Sequence, residues 1–495
     1  MKTILLLIIL SAFIFNSSAQ TTVNKVDSVE IDNLVHKIFN AQYPFFENYI
    51  NGKAKTKLYD IQTLTNPLLE GAFNSKQYAI LDSLAKLYLQ AHKQLETIDV
   101  YYFNYTGKVD TILLEKPCKV WLDDYTLING KDTFNFRNEM VLYVTQFSYL
   151  LSRSIHHFLR ISERENYIYI DSLLKIYPDI LVNDIYKRLV FNKDGMFQIR
   201  GWGCIKGTYN HYELLQLKVK NKFRGKISYC RSVTDSDMWL IAGVAEILMA
   251  NKLNPEIVVI DDDLKAQFIE YLNFSLKFIE KRMNKAKLAD FNGNKVLAYD
   301  FDNKAWIDHE DNAYGNCECD TFPLESDKLK IKKIGWDLSH ARRFVNFFES
   351  IYEYSTVFNK SFPDSSTLKY LSNQFIYKVF NGDYKKPLFA NYYDGSNGWY
   401  RYGYHGKGFG YAPSDMSSSV LSGGFCFLGK YNKDIIKLRN SLWEMLLSEN
   451  NEIIEHREEH YGKNYNKGKR TKKVNYFDLK STQSIILLQF LPTFY

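Results

Sequence analysis

The sequence predicts a mostly α-helical protein: an α/α toroid of paired antiparallel helices, with long loops at one face and a small strand-rich insertion near 99–133. Three observations predict it. Apolar residues recur at helical spacing through most of the 495 residues. The helical segments come in successive pairs, joined alternately by short and long connections. The long connections, 194–235, 285–336 and 382–414, are rich in Gly, Trp, Tyr, Asp and His. Long ordered loops are uncommon unless they carry function.

The first element, "MKTILLLIILSAFIFNSSAQ", has one Lys, an apolar run from Ile4 to Phe15 and then Ser17, Ser18 and Ala19. That pattern predicts a secretory signal peptide over 1–19, cleaved after Ala19, and a secreted or periplasmic product. The run is too short for a comfortable bilayer crossing, and no later segment is apolar enough, so no stable membrane span is expected. Residues 20–98 follow as N-terminal helices. "VDSVEIDNLVHKIFNAQYPFFENYI" has Asp27 or Ser28 as its cap, and "SKQYAILDSLAKLYLQAHKQLETI" repeats its spacing. Over 99–133, "VYYFNYTG" and "CKVWLDDYTLINGKDTFNF" alternate instead and carry the turn pair Asn129-Gly130.

Residues 134–450 return to helical spacing. They run from "NEMVLYVTQFSYLLSRSIHHFLRI" through "DSDMWLIAGVAEILMANKL" and "SHARRFVNFFESIYEYSTVF" to "KDIIKLRNSLWEMLLSE", and form the toroid region. Residues 451–495 are read as a basic segment and tail. His456 and His460 there have helical i, i+4 spacing, but Arg457 follows His456, so the zinc-protease order His-Glu-x-x-His is absent. No short fixed-period repeat is present, which argues against a familiar solenoid.

Composition narrows the function. Tyr, Phe and Trp number 37, 34 and 7, a 16% aromatic share. Most pack the core; a surplus of Tyr and Trp also suits a groove that stacks sugar rings. The net charge of +7 is mild. Together with export it makes nucleic acid an unfavoured partner and an anionic polymer such as a uronate polysaccharide a compatible one. Six cysteines are too few for a disulfide scaffold of this length. Cys204 with Cys230 would staple one loop. Cys317-Glu318-Cys319 is too tightly spaced for zinc, so no metal and no cofactor are expected. Walker, dinucleotide and Gly-x-Ser-x-Gly motifs are absent.

Four stretches carry candidate chemistry. In "GWDLSHARRFV", Asp337 is a helix N-cap and His340 falls in the first turn, where the helix dipole disfavours imidazolium. A neutral His accepts a proton, as a general base must. Arg343 is expected to be exposed and to grip a carboxylate through two bonds. "WIDHEDNAYG" supplies Trp306, Asp308, His309, Glu310 and Tyr314. The aromatic loop "GWYRYGYHGKGFGY" supplies Trp399, Arg401, Tyr402, Tyr404 and His405. "RGWGCIKGTYNHYE" adds Trp202, Asn210 and His211.

The signal sequence, the helix pairs, "WIDHEDNAYG", "WDLSHARRFV" and "GWYRYGY" resemble, over residues 130–450, the α/α-toroid carbohydrate-active enzymes. These are polysaccharide lyases of the alginate- and heparin-lyase type, with related six-hairpin glycosidases and epimerases. The resemblance implies β-elimination on an acidic, uronate-containing glycan. His340 would be the base or carboxylate partner, assisted by Arg343, with Asp337 beside it. Tyr402 or Tyr404 would be the acid. His405, or Asn210 with His211, would complete carboxylate neutralisation. Trp202, Trp306, Asp308, His309, Glu310, Tyr314, Trp399 and Arg401 would line the substrate groove. Two other expectations stand beside this one. A glycoside hydrolase on the same fold would use two carboxylates among Asp308, Glu310 and Asp337, at about 5 Å for a retaining pair. A non-catalytic glycan-binding envelope protein would keep only the aromatic platforms.

Overall fold

The computed structural model describes residues 28–52, 57–105, 108–129, 132–192, 209–220, 228–302, 306–319, 321–328, 334–403, 410–461 and 475–495. The segment 1–19 lies outside them. Apolar periodicity sets where helices run, and short polar side chains set where they begin. Asp261 Oδ1 accepts the Leu264 N–H at 2.8 Å, and Asp364 Oδ1 accepts that of Thr367 at 2.8 Å. At Thr234 the hydroxyl accepts from Asp237 N while the Asp237 carboxylate accepts from Thr234 N, a reciprocal cap.

The N-terminal helices are α1 (Ser28–Asn51), α2 (Lys57–Asn74) and α3 (Tyr78–His92). Two antiparallel hairpins follow, β1 (Leu95–Tyr105) with β2 (Lys108–Trp121) and β3 (Asp123–Asn129) with β4 (Asp132–Asn138). The expected strand insertion is therefore present and slightly longer than 99–133. Next come α4 (Val141–Leu159), α5 (Ile168–Asp179, continuing through a wider π turn Ile180–Lys187), α6 (His211–Lys220), α7 (Asp235–Leu253) and α8 (Asp262–Glu280). A third hairpin, β5 (Met283–Ala289) and β6 (Lys295–Phe301), occupies what the sequence suggested was loop. Its turn is made by Asn292-Gly293, with Gly293 at φ +81° and the Asp290 carboxylate accepting the Asn292 and Asn294 N–H groups. The chain ends with α9 (Leu338–Ala341), α10 (Arg343–Val357), α11 (Ser365–Gln374), α12 (Ser418–Ser422), α13 (Lys433–Leu447), α14 (Asn451–His460) and α15 (Ile485–Phe490).

The fold is mostly α, as expected. Helix α2 packs on α4, α4 on α7, and α7 on α10; α9 meets α12, α12 meets α15, and α15 returns to α2. Helices α3, α5, α8 and α11 each pack against a member of this set, on α2, α4, α7 and α10 respectively. Helix α7 is buried along almost its whole length, which explains why its sequence is apolar on all sides. The last residues close against the beginning of the chain. Leu487, Leu488 and Phe490 are buried, and Gln77 Nε2 donates to the Tyr495 hydroxyl at 3.0 Å. Gly71 lets this happen: a Cβ there would stand 2.1 Å from Pro492 Cβ.

At the centre, Arg153 of α4 spends its guanidinium N–H groups on three other helices. It meets Glu70 of α2 at 2.8 and 3.0 Å, Glu246 of α7 at 2.9 Å and Glu353 of α10 at 2.8 and 3.2 Å. His156 Nδ1 adds a 2.6 Å contact to Glu246, and His157 Nε2 a 3.2 Å contact to Glu70. Burial alone would raise the Glu70 and Glu246 carboxyls, but Arg153 and the two imidazoles hold both well below the usual range. Arg153→Met leaves these buried carboxylates without their counter-charge. We expect it to cost about 3–5 kcal/mol of unfolding free energy, read from the denaturant midpoint; a loss under about 1 kcal/mol would mean the network holds nothing together.

Candidate functional site

The candidate site is built on the first turn of α9. Asp337 precedes the helix in extended conformation, φ −65° and ψ 152°. Its carboxylate accepts from His340 N at 3.2 Å and Ser339 Oγ at 2.5 Å, and its Oδ2 stands 2.7 Å from His340 Nδ1. The loop after α11 clamps this turn from the other side: Leu338 N donates to Asn391 O at 2.7 Å and Tyr393 N to Trp336 O at 2.8 Å. Burial by itself would push the Asp337 carboxyl up. His340, Ser339 and Arg401 together outweigh it and hold the group well below the usual carboxylate range.

An ionised carboxylate only accepts, so the neutral imidazole of His340 carries its proton on Nδ1 and keeps the lone pair on Nε2. Nε2 has no protein partner among the described residues, and the side chain is 26% exposed. The result is an oriented imidazole with its basic nitrogen turned outward.

The second wall comes from "WIDHEDNAYG" and the aromatic loop. His309 caps a 3₁₀ turn, its Nδ1 accepting from Asp311 N at 3.2 Å. Burial, opposed by Asp311 and Glu310, pushes its pKa down. Arg401 Nε donates to Asp311 Oδ2 at 2.8 Å, and its guanidinium lies 5.1 Å from the Tyr400 ring centroid. Burial opposes its charge, but Tyr400, Asp311 and Asp337 keep it firmly cationic. Trp306 meets Trp336 at 5.3 Å and His309 at 5.7 Å. Tyr402 meets Tyr314 at 5.1 Å and Trp399 at 5.3 Å. Trp399 Nε1 donates to Cys319 O at 2.9 Å, so the Cys317–Cys319 disulfide loop seats that indole.

The structure thus links Asp337, His340, His309, Trp306 and Arg401, with Tyr314, Trp399 and Tyr402 forming an adjoining aromatic shelf. Other expected residues stand elsewhere. Asp308 is exposed and accepts the Ser228 N–H at 2.8 Å; Glu310 is exposed. Asn210 caps α6, its Oδ1 accepting from Glu213 N at 2.8 Å. His211 is fully buried, 2.7 Å from the Tyr271 hydroxyl and 2.9 Å from Asp237, so a polymer does not reach it. Trp202, Tyr404 and His405 lie outside the described residues. Arg343 requires a correction. It is buried rather than exposed, because α10 turns this position inward onto Tyr59 and Asp235.

That inward side forms a second feature, which the sequence reading missed. Asn66 of α2, Gln146 of α4, Trp239 of α7, Arg342 and Arg343 at the start of α10, and Ser422 of α12 line a narrow recess with about 20 Å³ open to a water-sized molecule. Gly423 leaves room for Arg342; a Cβ there would stand 2.6 Å from Arg342 Cβ. In four helices a recess residue precedes a residue of the Arg153 network by seven positions: Thr63 and Glu70, Gln146 and Arg153, Trp239 and Glu246, Asn346 and Glu353. Seven residues are two turns, or about 10 Å. All four helices therefore run in the same direction, from the recess down to the network. The available signal was polar residues interrupting apolar helix faces, which also marks ordinary packing.

Among the described residues two groups of side chains have metal-ligand spacing, and both are committed elsewhere. Cys317 and Cys319, near Asp327, are disulfide-bonded; His156, Glu246 and Glu353 surround the Arg153 guanidinium. Compared with protein-family models, curated proteins and solved structures, the chain matches none.

Asp337→Asn keeps a good cap but removes the charge that orients His340. The folded carboxyl titrates below its unfolded value near 4, so its contribution is present above that pH and fades as pH falls below it. We expect D337N to be about 1–3 kcal/mol less stable at pH 7, with the gap narrowing below pH of about 4. Urea titrations across that range check it; a gap that does not change with pH would show that charge is not the cause.

Proposed function

We propose that the chain is an exported polysaccharide-processing enzyme that cleaves an acidic, uronate-containing glycan by β-elimination, on an α/α toroid. The observation carrying the reaction is the Asp337-oriented His340 with Nε2 open to solvent. In the proposed step Nε2 takes the proton beside the uronate carboxylate. The C–H electron pair forms the new C=C bond, the C–O bond to the next sugar breaks, and the leaving oxygen takes a proton from a tyrosine. Tyr402 is the candidate among the described residues, half-buried on the shelf of Tyr314 and Trp399. Arg401, held cationic beside Asp337, would offset the substrate carboxylate.

The succession of packed helices from α2 through α4 and α7 to α10, and from α9, which leads into α10, through α12 and α15 back to α2 supports the toroid reading, as does the shared direction of four of them. Inner helices of a toroid run parallel because each is followed by an antiparallel outer one. Disulfide bonds at Cys230 and at Cys317–Cys319 support export, since such bonds persist in oxidising compartments. Among the described residues no helix is long and apolar enough to cross a membrane. The hydrolase reading has less support: Asp337 is ionised and engaged by Ser339 and His340, and Asp308 serves a backbone N–H.

The test is turnover of a panel of acidic and neutral polysaccharides, read by absorbance of a new C=C bond and by reducing ends. We expect both signals on a uronate polymer, and His340→Ala to lower them about 10²–10⁴-fold with the fold intact. Reducing ends without absorbance would replace elimination by hydrolysis. Unchanged turnover in H340A would remove His340 as the base.

A further inference from the structure

The recess behind the first turn of α10 is built to receive something negative. Its polar side chains come from five helices; Asn66 and Trp239 are 1% exposed and Arg343 4%, while Arg342 and Ser422 are partly exposed. Several of their hydrogen-bonding groups have no partner among the described residues. These are both side-chain polar atoms of Asn66, the Trp239 indole N–H, Arg343 Nε and Nη1, and Gln146 Oε1. Buried polar groups are nearly always paired, and an indole N–H can only donate. Donors outnumber acceptors in this set.

The charges agree. Arg342 and Arg343 are adjacent; Arg342 donates to the Ser422 hydroxyl at 3.3 Å and also interacts with the Tyr59 hydroxyl. Burial, together with the neighbouring Arg343, disfavours charge on Arg342. The groups facing the pair are Tyr59, whose hydroxyl accepts from Arg343, Asp235, 3.4 Å from Arg343, and, further off, Asp337 and Tyr400. Among the described residues no carboxylate lines the recess itself; the acids acting on the two guanidinium groups, Asp235 and Asp337, flank it. The recess lies beside the N-terminal halves of α2, α4, α7 and α10. The recess offers no platform for a sugar ring. The Trp239 face is taken by Tyr149, stacked at 4.8 Å, so the indole presents only its N–H edge.

The geometry points to a binding site for one small oxyanion, a carboxylate, sulfate or phosphate group, held by Arg342, Arg343, Asn66 and Trp239. The group comes either as a free ion or as the acidic substituent of a sugar. This site stands apart from the elimination reading, because it is defined by binding rather than turnover.

The experiment is thermal unfolding and calorimetric titration of the purified chain with sulfate, phosphate, glucuronate and glucose, against chloride at matched ionic strength. Saturable binding is expected, with a rise in Tm of roughly 2 °C or more, for at least one oxyanion and not for glucose or chloride. Preference for inorganic ions identifies a free-ion site; preference for glucuronate identifies a pendant acid. Two variants locate the site. Asn66→Asp places a carboxylate in the recess that Arg342 and Arg343 line and should abolish the response. Trp239→Phe removes one unpartnered donor while keeping the stacked ring, and should weaken binding about tenfold. Oxyanions no better than chloride would overturn the proposal, as would full binding in W239F or a full response in N66D. Because turnover is not read, a failed elimination assay leaves this result unaffected.

Discussion

One buried guanidinium governs the architecture. Arg153 has donors directed in a plane, and its partners come from three other helices, so α2, α4, α7 and α10 must present Glu70, Arg153, Glu246 and Glu353 at one level. Apolar packing tolerates sliding by a fraction of a turn; a charged fork in a low-dielectric core does not, since an unpaired partner there is costly. The network therefore acts as a register pin for helices whose apolar faces alone would specify only that they pack.

That pin has a consequence two turns away. With four helices parallel and level, the residues seven positions earlier are level too, and they form the recess. The first turns of α9 and α10 thus work in two directions. Outward, Asp337 orients His340 toward solvent; inward, Arg343 enters the recess between Tyr59 and Asp235. A short turn with a capping acid, an imidazole and two arginines is shared between a partly exposed surface and the interior. The same buried Asp337 carries both the helix cap and the imidazole, so the orientation of His340 and helix stability are coupled in one side chain.

The aromatic surplus divides the same way. Much of it is ordinary core, as with Phe375 stacked between Phe389 and Phe425. A smaller part makes the shelf of Tyr314, Trp399 and Tyr402. That shelf is anchored by backbone acceptors rather than by apolar packing alone, for the Trp399 indole N–H is tied to Cys319 O. An indole held by its N–H keeps its orientation when a ligand arrives, which favours stacking over induced repacking.

The sequence by itself determined the helical class, the strand insertion, and the roles of Asp337 as cap and His340 as first-turn imidazole. These depend on spacing and on contacts within three or four residues, which a linear reading sees. It missed the β5–β6 hairpin, where the Asn292-Gly293 turn was legible but was absorbed into a long connection. It placed Arg343 on the surface and His211 in a groove. Both errors have one cause: whether a polar residue is exposed depends on what packs over it, and Tyr59, Asp235, Asp237 and Tyr271 are 26 to 284 residues distant along the chain. Only the tertiary structure decided that four helices run parallel, that Arg153 is their common partner, and that Asn66, Gln146, Trp239, Arg342 and Arg343 meet. Direction and level are properties of helices relative to each other, and no local pattern encodes them.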